Sequence, residues 1–293
     1  MIPFSCSDYT FPLLARAQRF ALLHLLGFKH VDIGLFERSE GLRPGQLLAE
    51  PRTFTKQLNC DLKCAGLQVA DVFLQIGADP AESAANDPSL LVRARNRKTF
   101  LAALDLCSTL GSIHMTGLPG VWHKGMDKAA DLALAVDEAG WRQHVAFRAG
   151  VSYAIEAHVG SICSDISSTR SFLASVSELT LTLDYGHFVA SGIASSEIHS
   201  LLPLASHIHV RGGAPDRLQS SVNENQIDFD GMVRRLQKQK YSGFLALEYV
   251  WVDWQQCNRS DNVSETILLR RQLEDLMTVR PEGGALQKDK QSV

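Results

Sequence analysis

The sequence predicts a single (β/α)8 barrel of the α/β class. Three observations carry the prediction. Short apolar runs alternate with longer amphipathic runs, and about eight such pairs fill about 280 residues, the size of a closed parallel barrel. The order is strand then helix throughout, which makes the sheet parallel. No glycine-rich phosphate loop follows the first strand, as a doubly wound open sheet would require.

Each element follows from its local pattern. Ile2–Cys6 is a short apolar strand. Pro12–Leu26 has apolar residues at helical spacing and stops at Gly27. His30–Leu35 (HVDIGL) is the second strand, and a helix over Thr53–Cys64 stops before Gly66. Leu67–Ile76 is a strand, and Pro88–Leu110 is a long amphipathic helix ended by Gly111. Ser112–Thr116 is a short strand broken by Gly-Leu-Pro-Gly, with a helix over Lys128–Phe147 after it. Val151–Ala157 (VSYAIEA) is followed by a short helix, Ser167–Ser175, for which Asp165 is a capping candidate. Leu179–Asp184 (LTLTLD) precedes a helix over Ser195–Leu202, and His207–Val210 (HIHV) precedes one over Asp230–Lys240. Phe244–Tyr249 (FLALEY) and a helix over Asn262–Val279 complete the series. No internal repeat, low-complexity run or Pro/Gly linker interrupts it. The expected organisation is one barrel domain, residues 1–279, and a frayed polar tail, residues 280–293.

Composition narrows the partners. Hydrophobic residues make up 45% and charged residues 21%, which excludes a disordered chain. Lys plus Arg is 29 against 32 for Asp plus Glu, a net charge of −3, so nucleic acid is not an expected partner. The N-terminus lacks the basic and apolar regions of a secretion signal, and no run approaches the ~18 apolar residues of a membrane helix. The six cysteines are scattered without a C-x-x-C pair and read as reduced thiols. A cytoplasmic protein is expected.

In a barrel of this kind the active site lies at the C-terminal ends of the strands. The last four strands all end in groups that are costly on an apolar strand unless paired. These groups are Glu156, Asp184, His209 and Glu248. Any one of them alone is ordinarily a salt-bridged, turn or core residue. Together they form a site for one divalent metal ion, because oxygen-rich ligands with one imidazole suit Mn²⁺, Mg²⁺, Co²⁺ or Zn²⁺. Without a cation, three packed carboxylates repel and raise one another's pKa. His114 and Arg211 are further candidates to hold a substrate hydroxyl, carboxylate or phosphate. Trp122, His123 and Trp251 are candidates for an aromatic mouth, and His207 lies on the same face as His209.

Asp184-Tyr-Gly-His187 resembles the D-x-x-H segment of the xylose isomerase-like TIM barrels. The segments Gly27–Gly34, Ile155–Ile162, His207–Gly212 and Gly243–Trp251 resemble others of the same superfamily, in order, across almost the whole chain. The superfamily holds sugar isomerases, ketose 3-epimerases, inosose and dehydroshikimate dehydratases and a DNA repair branch. The resemblance implies that Glu156, Asp184, His209 and Glu248 bind one divalent metal, and that Glu156 and Glu248 are the catalytic acid and base. It also implies that His187 and His158 contact substrate. The chain departs from the ketose 3-epimerase pattern at Ile162 and Pro215, where that branch carries a glutamate and an arginine. The early strand DVFLQI lacks the histidine of the DNA repair branch.

The expected function is a divalent-metal-dependent isomerase or epimerase. Its substrate would be a small sugar, sugar phosphate or polyol-derived ketone, handled through an enediolate. A dehydratase of the inosose or 3-dehydroshikimate type is the first alternative, and a non-catalytic sugar-binding barrel is the second. The expected partner is a small carbohydrate-like molecule, with a homodimer possible through the outer helices.

Overall fold

In the computed structural model, which describes residues 1–278, the alternating pattern closes into a barrel. Val279 and the expected tail at 280–293 lie outside the described residues. β1 (Phe4–Ser7) runs into a 3-10 turn (Asp8–Thr10) and then α1 (Arg16–Leu25). β2 (His30–Phe36) is followed by α2 (Pro44–Ala49) and α3 (Pro51–Ala65), and β3 (Gln68–Gln75) by α4 (Leu90–Leu110). β4 (His114–Gly117) precedes α5 (Lys128–Arg148), and β5 (Ser152–Glu156) precedes α6 (Ile166–Ala174). β6 (Thr180–Asp184) continues into α7 (Tyr185–Ala190) and α8 (Ser195–Ile198). β7 (Ala205–Val210) is followed by a small hairpin of β8 (Gly212–Ala214) and β9 (Arg217–Ser220), then α9 (Phe229–Lys238). β10 (Leu245–Leu247) and α10 (Asn262–Thr278) close the chain. Strands β1 to β7 follow one another round the barrel, and β10 pairs parallel with both β7 and β1.

The expected stops hold for a physical reason. Gly66 and Gly111 take left-handed backbone at φ 67° and 74°, which glycine adopts without a Cβ penalty. Asp165 caps α6 by accepting from the Ser168 backbone N–H. Several boundaries differ from expectation, among them the helix expected over Ser195–Leu202, which is α8 and a 3-10 turn (His199–Leu204), and the strand expected over Phe244–Tyr249, which is Leu245–Leu247. The helix expected from Pro12 begins at Arg16, because Asp8–Thr10 forms its own turn first. The α7 helix and the β8–β9 hairpin occupy stretches without a readable period, being six residues or shorter.

The apolar core lies between the barrel and its helices. Val31, Ile33, Leu35, Val72, Ile155, Leu181, Leu183 and Ile208 are fully buried there. The barrel interior is polar instead. Thr182 on β6 reaches across β5 to Thr116 on β4, oxygen to oxygen 2.7 Å. Ser5, Ser7, Asp32, Asp71, His207 and His209 are also buried. Parallel barrels usually fill this space with branched aliphatic side chains. No helix among the described residues is long and apolar enough to cross a membrane. All six cysteines are free thiols.

The turn after β1 is anchored by a buried ion pair. Arg19 Nη1 is 2.6 Å from Asp8 Oδ2, and Asp8 Oδ1 accepts from the Gly34 N–H at 2.8 Å. Burial raises the Asp8 carboxyl above its usual range while Arg19 pulls it down. Replacing Arg19 by Met leaves that carboxyl without its counter-charge. The expected loss is about 3–5 kcal/mol of stability, read as a lower denaturant midpoint.

Candidate active site

The ends of β5, β6, β7 and β10 bring four side chains to one point. Ligating atoms of Glu156, Asp184, His209 and Glu248 all lie within 4.8 Å of one another, and all four residues are buried. Glu156 is the last residue of β5, and its Oε1 is 2.7 Å from His209 Nδ1. Glu248 follows β10 directly, and its Oε1 is 3.3 Å from the same nitrogen. His209 therefore sits between the two glutamates. Asp184 ends β6 and caps α7, with Oδ1 accepting from the Gly186 N–H at 2.7 Å. This leaves Asp184 Oδ2 facing the cluster.

Sequence reasoning missed Tyr9. Its hydroxyl donates to Glu248 Oε1 at 2.7 Å from the turn that follows β1. Burial beside Glu248 keeps the phenol protonated, with its pKa well above the usual value. Gly34 on β2 makes room for that ring, since a Cβ there would lie 2.3 Å from Tyr9 Cδ1. The rule that found the other ligands, polar groups at strand ends, also points to Tyr9 once β1 is extended to Ser7.

Arg211 enters the cluster from just beyond β7. Its guanidinium pairs with Asp184 Oδ2 and lies 3.6 Å from Glu248 Oε2. Arg211 thus neutralises the carboxylates directly. Burial pushes Glu156 up to about 7, with Glu248 and Asp184 adding to the effect and His209 opposing it. Burial also acts against ionising Glu248, but His209 and Arg211 outweigh it and hold this carboxyl at about 2. Both glutamates meet the same ring nitrogen, His209 Nδ1, and their surroundings push their pKa values apart.

His158 and His187 line the same cavity of about 420 Å³, with Tyr9, Phe73, Arg211 and Trp254 among its other walls. His158 Nδ1 lies 2.9 Å from the Val159 carbonyl and donates to it, which leaves Nε2 as an acceptor with no partner among the described residues. His187 Nδ1 accepts from the Val159 N–H at 3.3 Å, and its Nε2 lies 3.4 Å from Arg211 Nη2. Burial lowers the pKa of both rings, and the charge of Arg211 lowers that of His187 further. Both are neutral imidazoles, and His158 offers the cavity an acceptor.

His114 is not brought to this site. It is the first residue of β4, so it lies about 10 Å below the strand's C-terminal end at about 3.3 Å per residue. Its ring is held by Asp71 at 2.6 Å and Ser206 at 2.8 Å, beside a separate cavity of about 510 Å³ at the opposite mouth of the barrel. A short strand gave its identity but not its height. Of the expected aromatic mouth, His123 is tied to Asp131 at 2.7 Å, and Trp122 stacks with Lys128. Trp251 is exposed, and Trp254 takes the wall position instead.

The donor set fits a divalent ion. Three carboxylates and one imidazole converge, and Glu248 Oε2 is buried without a hydrogen-bond partner among the described residues. Loading requires the Arg211 guanidinium to give up part of its hold on Asp184.

Among curated proteins, none matches the chain in sequence. Among solved structures, a 3-keto-D-glucoside 4-epimerase from E. coli is similar, at 13% identity and TM-score 0.71, over 94% of this chain and 100% of that one. A D-psicose 3-epimerase from Clostridium cellulolyticum H10 is similar at 15% identity and TM-score 0.72, over 94% and 99%. A probable 3-DHS dehydratase from Bacillus anthracis is similar at 14% identity and TM-score 0.67, over 92% and 99%. At these identities the likeness is one of fold. Residues 20–273 match the family described as xylose isomerase-like TIM barrel, and the chain belongs to that family.

Proposed function

We propose that this barrel is a divalent-metal-dependent isomerase or epimerase of a small sugar, sugar phosphate or polyol-derived ketone. The supporting observation is the convergence of Glu156 and Glu248 on His209 Nδ1, with Asp184 completing the donor set. Two carboxylates whose surroundings push their proton affinities apart are suited to remove a proton from carbon and return one. Glu248 takes the proton from carbon in its ionised form, and Glu156 gives one back. The hydroxyl of Tyr9 holds Glu248 in place, and the neutral rings of His158 and His187 orient substrate oxygens. When bound, the divalent ion polarises a substrate oxygen and stabilises developing negative charge. A sugar 3-epimerase and a 4-epimerase are among the structurally similar proteins, which agrees with this reading.

A dehydratase reading has a specific observation in its favour. His187 lies at the cavity wall 3.5 Å from Asp184 Oδ2, where its neutral ring can hydrogen-bond a departing hydroxyl while Glu156 supplies the proton. The deciding experiment incubates metal-loaded protein with ketoses, inososes and dehydroshikimate in D₂O. Deuterium in recovered sugar of unchanged formula supports the isomerase reading. A product lighter by one water supports the dehydratase. No exchange and no product with any of them leaves the sugar-binding alternative.

Tyr9→Phe removes one hydrogen bond to a charged acceptor, which is about 1.5–3 kcal/mol. Turnover is expected to fall about 10- to 100-fold with little change in KM, as steady-state kinetics would show.

A further inference from the structure

Below the cavity, the barrel interior holds a second group of ionisable side chains. Asp32 on β2 and Asp71 on β3 are register partners, and His207 precedes His209 by two residues on β7. Atoms of Asp32, Asp71, His207 and His209 lie within 4.8 Å of one another, and all four residues are buried. Their mutual hydrogen bonds satisfy one oxygen of each carboxylate. Asp32 Oδ2 is 2.7 Å from His207 Nε2, and Asp71 Oδ1 is 2.6 Å from His114 Nδ1. Asp32 Oδ1, Asp71 Oδ2 and His209 Nε2 have no hydrogen-bond partner among the described residues, and each residue is 0% exposed. Orphaned carboxylate oxygens in a barrel interior are costly, and aliphatic side chains would fill the same space without that cost.

We propose that Asp32, Asp71, His207 and the Nε2 of His209 form a second metal site, which takes a zinc-class divalent cation inside the barrel. Two carboxylates and two imidazoles are a borderline-soft donor set of the kind zinc accepts. Four protein ligands leave no open position, which makes the site structural rather than catalytic. The ion ties the neighbouring strands β2 and β3 to β7, which pairs with neither of them. The His209 ring faces both sites, with Nδ1 toward the glutamates and Nε2 toward the aspartates. A ring that ligates through both nitrogens does so as an imidazolate, both N–H protons being displaced by the two ions.

The test is an anomalous-scattering map at the zinc edge from crystals of the zinc-loaded full-length protein, with elemental analysis of the same sample. The expected result is about two zinc ions per chain, with one peak between Asp32, Asp71 and His207 and another among Glu156, Asp184 and Glu248. In Asp71→Asn, which keeps the side-chain shape, the first peak is expected to disappear and the second to remain. A single peak at the glutamates overturns this inference and leaves the proposed function standing. A single peak at the aspartates supports it and overturns the metal-dependent reading above. No peak in the wild-type protein overturns both, whatever the variant does.

Discussion

Glutamine in place of Glu156 or Glu248 is expected to cut turnover by about 10²–10⁴-fold or more while leaving the fold intact. Each glutamate is proposed to move a proton at substrate carbon, and an amide cannot take or give that proton in the same way. The folded state tolerates the change because the amide oxygen keeps the existing contacts. It still accepts from Tyr9 at position 248 and from His209 at position 156. Circular dichroism and thermal melting check the fold, and solvent-deuterium exchange checks the chemistry. Near-wild-type rates in both variants would contradict the acid–base assignment.

Asp184→Asn is expected to weaken divalent-metal affinity by about 100-fold or more. Even outer-shell partners of a metal are worth about 10- to 100-fold, and this change removes a ligand charge outright. It spares the fold, because asparagine caps a helix about as well as aspartate, and its Oδ1 still accepts from Gly186. It also frees the Arg211 guanidinium from its partner in the cluster. Isothermal titration with Mn²⁺ or Zn²⁺ measures the change. An unaltered titration curve would remove Asp184 from the site.

The sequence made the barrel legible because each strand ran apolar at high density and each helix ended at a glycine or a capping residue. It made Glu156, Asp184, His209 and Glu248 legible for a related reason. An ionisable group closing an apolar strand has few ordinary explanations, and the known polarity of the barrel says which end matters. Height along a short strand was less readable. His114 had the right residue type but stood at the start of β4 rather than its end. Tyr9 and Trp254 escaped because they sit in 3-10 turns, whose few residues carry no period. The pairing of Arg211 with Asp184 depends on side-chain reach across a loop, which spacing does not encode. Asp32 and Asp71 were visible within HVDIGL and QVADVFLQ, yet only the register of β2 and β3 sets them side by side inside the barrel.

Elemental analysis of the wild-type protein and Asp184→Asn, loaded with the same divalent ion and desalted side by side, tests the central claim most directly. If Glu156, Asp184, His209 and Glu248 hold the catalytic ion, the variant retains about one ion fewer per chain than the wild type. Equal contents in the two proteins, with both folded, would contradict a metal site at these strand ends and leave Arg211 as the cation that balances their carboxylates.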